Sequence, residues 1–163
     1  MAHAVVVTVS NRAAAGVYAD TTGPLIADAL TQAGHQVGAP RVVPDGEPLE
    51  GALRSALRDG ADVIVTTGGT GVSPTDQTPE ITRRVLDYEV PGIAEAIRLE
   101  TRDRVPTSIL SRGLAGTVGA SLVVNLPGSP GGVKDGVTVL APILGHVLSQ
   151  LRGGDHKPGG GPE

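Results

Sequence analysis

A chain of 163 residues suits one domain folding around its own core. It contains no cysteine, which excludes disulfides, thiolate zinc sites and cysteine catalysis. With no Phe or Trp, two Tyr and a net charge of −4, it lacks the stacking surface and the basic balance of a general nucleic-acid binder.

Residues 4–9 are rich in valine and read as the first strand. Met1 leads into it without a basic leader, and no apolar run approaches the roughly 18 residues that cross a membrane, so a cytoplasmic protein with no membrane partner is expected. After a polar loop, Gly23-Pro24 opens a helix with Leu25, Ile26, Ala29, Leu30 and Ala33 on one side, and Gly34 ends it. A second strand, residues 37–43, runs into the turn Pro44-Asp45-Gly46. The next helix starts near Pro48, buries Leu49, Leu53, Ala56 and Leu57, and stops at Gly60. Residues 61–66 form a strand buried on both faces, because their apolar run does not alternate.

Beyond the loop 68–78, Pro79 in a first turn begins another helix. Pro91-Gly92 interrupts the pattern, and a further helix runs to about residue 102. Residues 121–126 are the next buried strand. Residues 133–151 stack Val133, Val137, Leu140, Leu144, Val147, Leu148 and Leu151 at helical intervals, with Pro142 expected to kink or divide the helix. Residues 153–163 have almost nothing to bury and read as a disordered tail, leaving residues 1–152 as the domain. Strands alternating with helices imply an α/β fold with a mostly parallel sheet.

Two glycine-rich loops each follow a buried strand and precede a helix: Thr67-Gly68-Gly69-Thr70-Gly71, and Asn125-Leu126-Pro127-Gly128-Ser129-Pro130. Glycines admit an anion close to the backbone, and a following helix N-terminus offers it free N–H donors. Ordinary tight turns would explain either loop alone; two in the same context favour one shared phosphorylated ligand. Neither loop matches a dinucleotide fingerprint, a Walker sequence or a nucleophile elbow. Asp45 and Asp76 belong on the same sheet edge as the loops. Asp45 in Pro-Asp-Gly also fits a turn former, and Asp76 a loop cap. Glu80 fits a helix first turn. Arg12 and Arg112 are the cations expected near the loops, and a solvated surface arginine is the alternative for each. The histidines are too scattered for an imidazole metal site.

These loops, with Val9-Ser10-Asn11-Arg12, Val43-Pro44-Asp45, Thr78-Pro79-Glu80, Pro91-Gly92-Ile93-Ala94-Glu95 and Leu110-Ser111-Arg112, resemble the Mog/MoaB family of molybdenum cofactor biosynthesis proteins. The resemblance implies a three-layer α/β/α sandwich, usually assembled as a trimer and sometimes as a hexamer. It implies binding of molybdopterin, transfer of AMP to it from Mg-ATP with release of pyrophosphate, and a partner protein that inserts molybdenum. In that family two carboxylates matter, and they fall on Asp45 and Asp76, assigned here to Mg²⁺ and to catalysis. The substrate-binding set it implies is Ser10, Arg12, Thr67, Gly68, Gly69, Thr70, Gly71, Glu80, Glu95, Ser111, Arg112, Asn125, Pro127, Gly128 and Ser129. Many members carry Arg-Asp-Val where this chain has Thr75-Asp76-Gln77, which leans towards the branch that binds the pterin without catalysis.

Overall fold

Along β1 (His3–Val9) the side chains alternate faces, Ala4 and Val6 entering one core and Val5, Val7 and Val9 the other. The same holds in β4 (Val63–Thr67), where Ile64 faces away from Val63 and Val65, and in β7 (Ser121–Leu126), where Val123 faces away from Leu122, Val124 and Leu126. A strand buried on both faces needs helices on both faces. The computed structural model, which describes residues 1–154, has that arrangement. Helices α2 (Thr22–Gln32), α5 (Pro91–Leu99) and α6 (Pro130–Leu151) cover one side of the sheet; α3 (Glu47–Arg58) and α4 (Thr78–Val85) cover the other. A short α1 (Asn11–Ala14) follows β1.

The sheet order is β2-β1-β4-β7-β6-β5, and β3 (Arg41–Val43) also pairs with β1, beyond β2 (Gln36–Val37). β1, β2, β3, β4 and β7 run parallel. β6 (Ala115–Val118) is antiparallel to β7, and β5 (Tyr88–Glu89) to β6. This is the three-layer, mostly parallel architecture expected.

Several expected elements change shape. The strand expected over 37–43 is two pieces, because Gly38-Ala39-Pro40 offers little to pack and Pro40 has no ladder donor. The helix expected to reach about 102 stops at Leu99, and a 3₁₀ turn, Pro106–Leu110, follows it. β5 and β6 are additions to the sequence reading. The last helix starts three residues before Val133 and passes through Pro142 without dividing. Its end is sealed by Gly153 N–H on Gln150 O (2.9 Å) and Gly154 N–H on Ser149 O (2.8 Å), so the cap reaches two residues into the segment assigned to the tail. Residues 155–163 lie outside the described residues. Among those described, no helix is long and apolar enough to cross a membrane.

Candidate functional site

Because β1, β3, β4 and β7 are parallel, their carboxyl ends share one edge of the sheet. That edge receives Ser10 from β1, Pro44-Asp45 from β3, Gly68-Gly69 from β4 and Pro127-Gly128 from β7. The chain leaves β1 towards β2 and β3 and returns on its other side as β4, so a topological switch point lies between β1 and β4, where open α/β sheets place ligands.

The two glycine loops meet there. Gly68 (φ +94°) and Gly69 (φ +66°) adopt left-handed backbone, and neither has room for a Cβ. At Gly68 a Cβ would strike the Val9 carbonyl oxygen; at Gly69 it would lie 2.7 Å from Asp45 Oδ2. Thr78 closes this loop, donating from N–H to Gly69 O (3.1 Å) and from Oγ1 to Gly68 O (2.9 Å). The second loop packs on the first backbone to backbone: a Cβ on Gly128 would lie 3.2 Å from Gly68 Cα, and Thr67 Oγ1 donates to Pro127 O at 2.8 Å.

Between them opens a cleft of about 460 Å³, a size that suits a small-molecule ligand. Gly69, Thr70, Gly71 and Asp76 form one wall; Pro127, Gly128, Ser129 and the first turn of α6 form the next. The third wall is Thr101, Val105, Thr107, Ser108, Leu110 and Ser111. Ser129 caps α6, accepting from Gly132 N–H at 3.1 Å, and no acidic residue stands in the first turn, so the helix N-terminus is a positive end at the cleft, while Asp135 further along α6 adds a carboxylate to the same lining. A second cavity of about 280 Å³ sits at the switch point, lined by Thr8, Ser10, Tyr18, Asp20, Thr67 and Gly68, and it shares Gly128 with the first. Asp20 is fixed by Thr8 Oγ1 (2.8 Å) and Gly23 N–H (3.1 Å).

Asp45 is half-buried, and its Oδ1 accepts from Gly46 N–H (3.0 Å) and Gln77 N–H (3.1 Å). Burial pushes its carboxyl above the usual carboxylate value; the two backbone donors oppose the rise, while the charges of Asp76 and Glu80 add to it. Asp76 is also half-buried, and its Oδ2 accepts from Ser73 N–H at 3.1 Å. The family resemblance implies magnesium, and the donor set fits it in one form. Asp45 and Asp76 carry mutually repelling charge that a dication relieves, and no group of three metal-ligating side chains exists among the described residues. A magnesium ion held there would take its remaining ligands from water and substrate phosphate, as magnesium usually does.

Of the expected substrate-binding residues, Thr70, Gly69, Gly71, Ser111, Pro127, Gly128 and Ser129 line the larger cleft, and Ser10, Thr67 and Gly68 the smaller. Others stand elsewhere. Asn125 is buried, with Oδ1 accepting from Leu114 N–H (3.0 Å) and Nδ2 donating to Thr66 Oγ1 (2.9 Å) and Thr82 Oγ1 (3.0 Å); its amide ties β7 to β4 and α4, and it lines neither cavity. Arg12 and Glu95 are exposed and line neither cavity. Glu80 is paired with Arg112, which holds its carboxyl below the usual value. Arg112 lines neither cavity and reaches the loop from behind. Of the third wall the sequence reading found Ser111 and missed Thr101, Val105, Thr107, Ser108 and Leu110, most of which lie in a stretch without helical or strand periodicity. It also missed Tyr18 and Asp20, where the one available signal was a tyrosine in a polar loop ahead of a helix start.

Residues 5–146 match the family described as "Probable molybdopterin binding domain". The Mog protein structure from Mycobacterium ulcerans is 51% identical, with a TM-score of 0.89, covering 93% of this chain and 99% of that one. A "Molybdopterin adenylyltransferase" of Haemophilus influenzae is 38% identical over 149 residues, 87% of this chain and 74% of its own length. A "Molybdenum cofactor biosynthesis bifunctional protein" of Synechococcus elongatus is 39% identical over 155 residues, 94% of this chain; the chain spans about half of that relative, at 48%. With its fold, its paired glycine loops and this match over most of its length, the chain belongs to the molybdopterin-binding domain family to which the Mog and MoaB proteins belong.

Proposed function

We propose that this protein binds molybdopterin and transfers AMP to it from Mg-ATP, releasing pyrophosphate, as a step in molybdenum cofactor biosynthesis. The observation that carries the reading is the larger cleft: two glycine loops in backbone contact, with the N-terminus of α6 on one side and Asp76 on the other. The likeness to a molybdopterin adenylyltransferase supports the same reaction.

The attacking group is the substrate's own terminal phosphate, ionised at neutral pH, so no general base is required. The chain must instead align two polyanions. Backbone N–H groups of the glycine loops and of α6 hold the pterin phosphate, and the apolar side chains Val105 and Leu110 flank the rest of the molecule. Asp76, with Asp45 beside Gly69, would hold magnesium. When bound, that ion neutralises charge developing on pyrophosphate. The smaller cavity shares Gly128 with this cleft.

The proposal extends to a cytoplasmic homotrimer whose product passes to a molybdenum insertase. The bifunctional relative, about twice this chain's span, is consistent with a second activity carried outside the shared part. Thr75, exposed beside Asp76 where many members place arginine, favours a second reading: a pterin binder without turnover. One assay separates them. Supplied with molybdopterin and Mg-ATP, the protein is expected to form adenylylated molybdopterin and equimolar pyrophosphate. Pterin binding without pyrophosphate release would leave the non-catalytic binder.

A further inference from the structure

The guanidinium of Arg112 is engaged on all three of its nitrogens. Nε donates to Gly71 O (2.7 Å), Nη2 to Asp76 O (3.0 Å), and Nη1 pairs with Glu80. Its backbone N–H donates to Thr70 O at 2.7 Å. One residue thus grips the β4–α4 loop at Thr70, at Gly71 and at Asp76, and ties it to the first turn of α4. The grip is anchored in turn. Arg98 on α5 donates to Gly113 O (2.8 Å) and reaches Ser111 O (3.4 Å), holding the carbonyls on either side of Arg112. Within the loop, Asp76 N–H donates to Ser73 O (3.0 Å) and Ser73 N–H returns the bond to Asp76 Oδ2, so the placement of the Asp76 backbone sets the direction of its carboxylate.

From this geometry we infer that Arg112 is a positioning residue: it clamps residues 70–76 so that Asp76 is aimed into the cleft, and it does not itself hold the pterin or the nucleotide. The clamp rests on hydrogen bonds alone; the consequence for turnover rests on the proposed AMP transfer. Lysine cannot substitute, because the three acceptors lie around a planar fork that a single ammonium cannot span.

The test is Arg112→Lys in the full chain, read three ways. Amide hydrogen exchange over residues 70–77 of the ligand-free protein should quicken about tenfold or more, because the loop loses its tether. The kcat of AMP transfer should fall about tenfold or more, while the Kd for molybdopterin stays within about threefold. Glu80→Gln, which leaves Arg112 and its backbone bonds in place, should give a smaller change of the same sign and serves if the lysine variant folds poorly. Arg98→Lys, at a residue that lines neither cavity, should also quicken exchange in the loop. A tenfold weaker molybdopterin Kd with unchanged loop exchange would overturn the inference and make Arg112 a ligand contact. Unchanged exchange in both arginine variants would overturn it as well. A wild type without AMP transfer would defeat the proposed function alone, and the exchange and Kd comparisons would still decide the clamp.

Discussion

Asp45 and Asp76 lie against the first glycine loop, at Gly69 and at Gly71, under different constraints. Asp76 lines the cleft, and only its charge distinguishes it from asparagine as a loop former, since either side chain can accept from Ser73 N–H. Asp76→Asn should therefore leave molybdopterin binding intact and lower AMP transfer about a hundredfold, close to 2.7 kcal/mol of transition-state stabilisation. Near-normal turnover with a slightly lower Tm would reduce Asp76 to a loop former. Asp45 makes a thermodynamic prediction of its own. Its folded-state pKa is raised above 3.8, with burial as the largest cause. The folded protein then holds that proton more tightly than the unfolded chain, so stability falls as pH rises from 3.8 through the raised pKa and stays lower above it. Asp45→Asn removes the charge and keeps an oxygen for Gly46 and Gln77 N–H. The ligand-free variant should melt higher near neutral pH, and its advantage should vanish in acid. A lower Tm near neutral pH would mean that the ionised carboxylate stabilises the loop.

Among the elements, what was legible in the sequence was what packing dictates. The runs around Val6, Ile64 and Val124 had to be central strands because they are apolar on both faces, and the helices ending at Gly34 and Gly60 were marked by their terminal glycines. β6 was not legible: Ala115-Gly116-Thr117 has neither an apolar run nor alternation. Gly116 is there because β5 crosses close, and a Cβ would lie against Leu86 and the Tyr88 carbonyl. The site divided in the same way. Strand-to-helix context points to the loop glycines and the two aspartates, but it does not give the direction of a side chain: the polar atoms of Asn125 and Arg112 bond other parts of the chain. Pro142 shows tertiary packing overriding a local breaker. Leu140, Leu144 and Leu148 bury one stripe of α6 on both sides of it, and Pro142 itself is exposed, so the helix tolerates a missing donor to Thr138 O on its wet face. Pro142→Ala should restore that bond. The propensity difference between the two residues in a helix interior sets an upper bound of about 3 kcal/mol on the gain, read as a higher urea midpoint at unchanged m-value. No gain would mean that the packing already fits the proline.

At the scale of the whole molecule, the sheet's two faces are covered by helices, yet large apolar side chains remain exposed in one stretch: Leu99, Val105, Ile109 and Leu110 are each about half exposed or more. They run on from Leu99 at the end of α5, and Val105 and Leu110 form part of the wall of the larger cleft. A run of exposed apolar side chains beside a cleft invites a partner surface, and the proposed homotrimer supplies one. Light scattering at micromolar concentration should then give three times the 16.4 kDa chain mass. Ile109→Lys places a charge in the patch without touching either core, since Ile109 is 52% exposed and belongs to neither. It should dissociate the assembly while leaving the Tm of the separated chain near that of the wild type diluted to monomer. Because the patch adjoins the cleft wall, dissociation should also raise the KM for molybdopterin more than it lowers kcat. A wild type that scatters as a monomer would remove the trimer from the proposal. A variant that stays trimeric would place the contact on another face and leave residues 99–110 to the ligand alone.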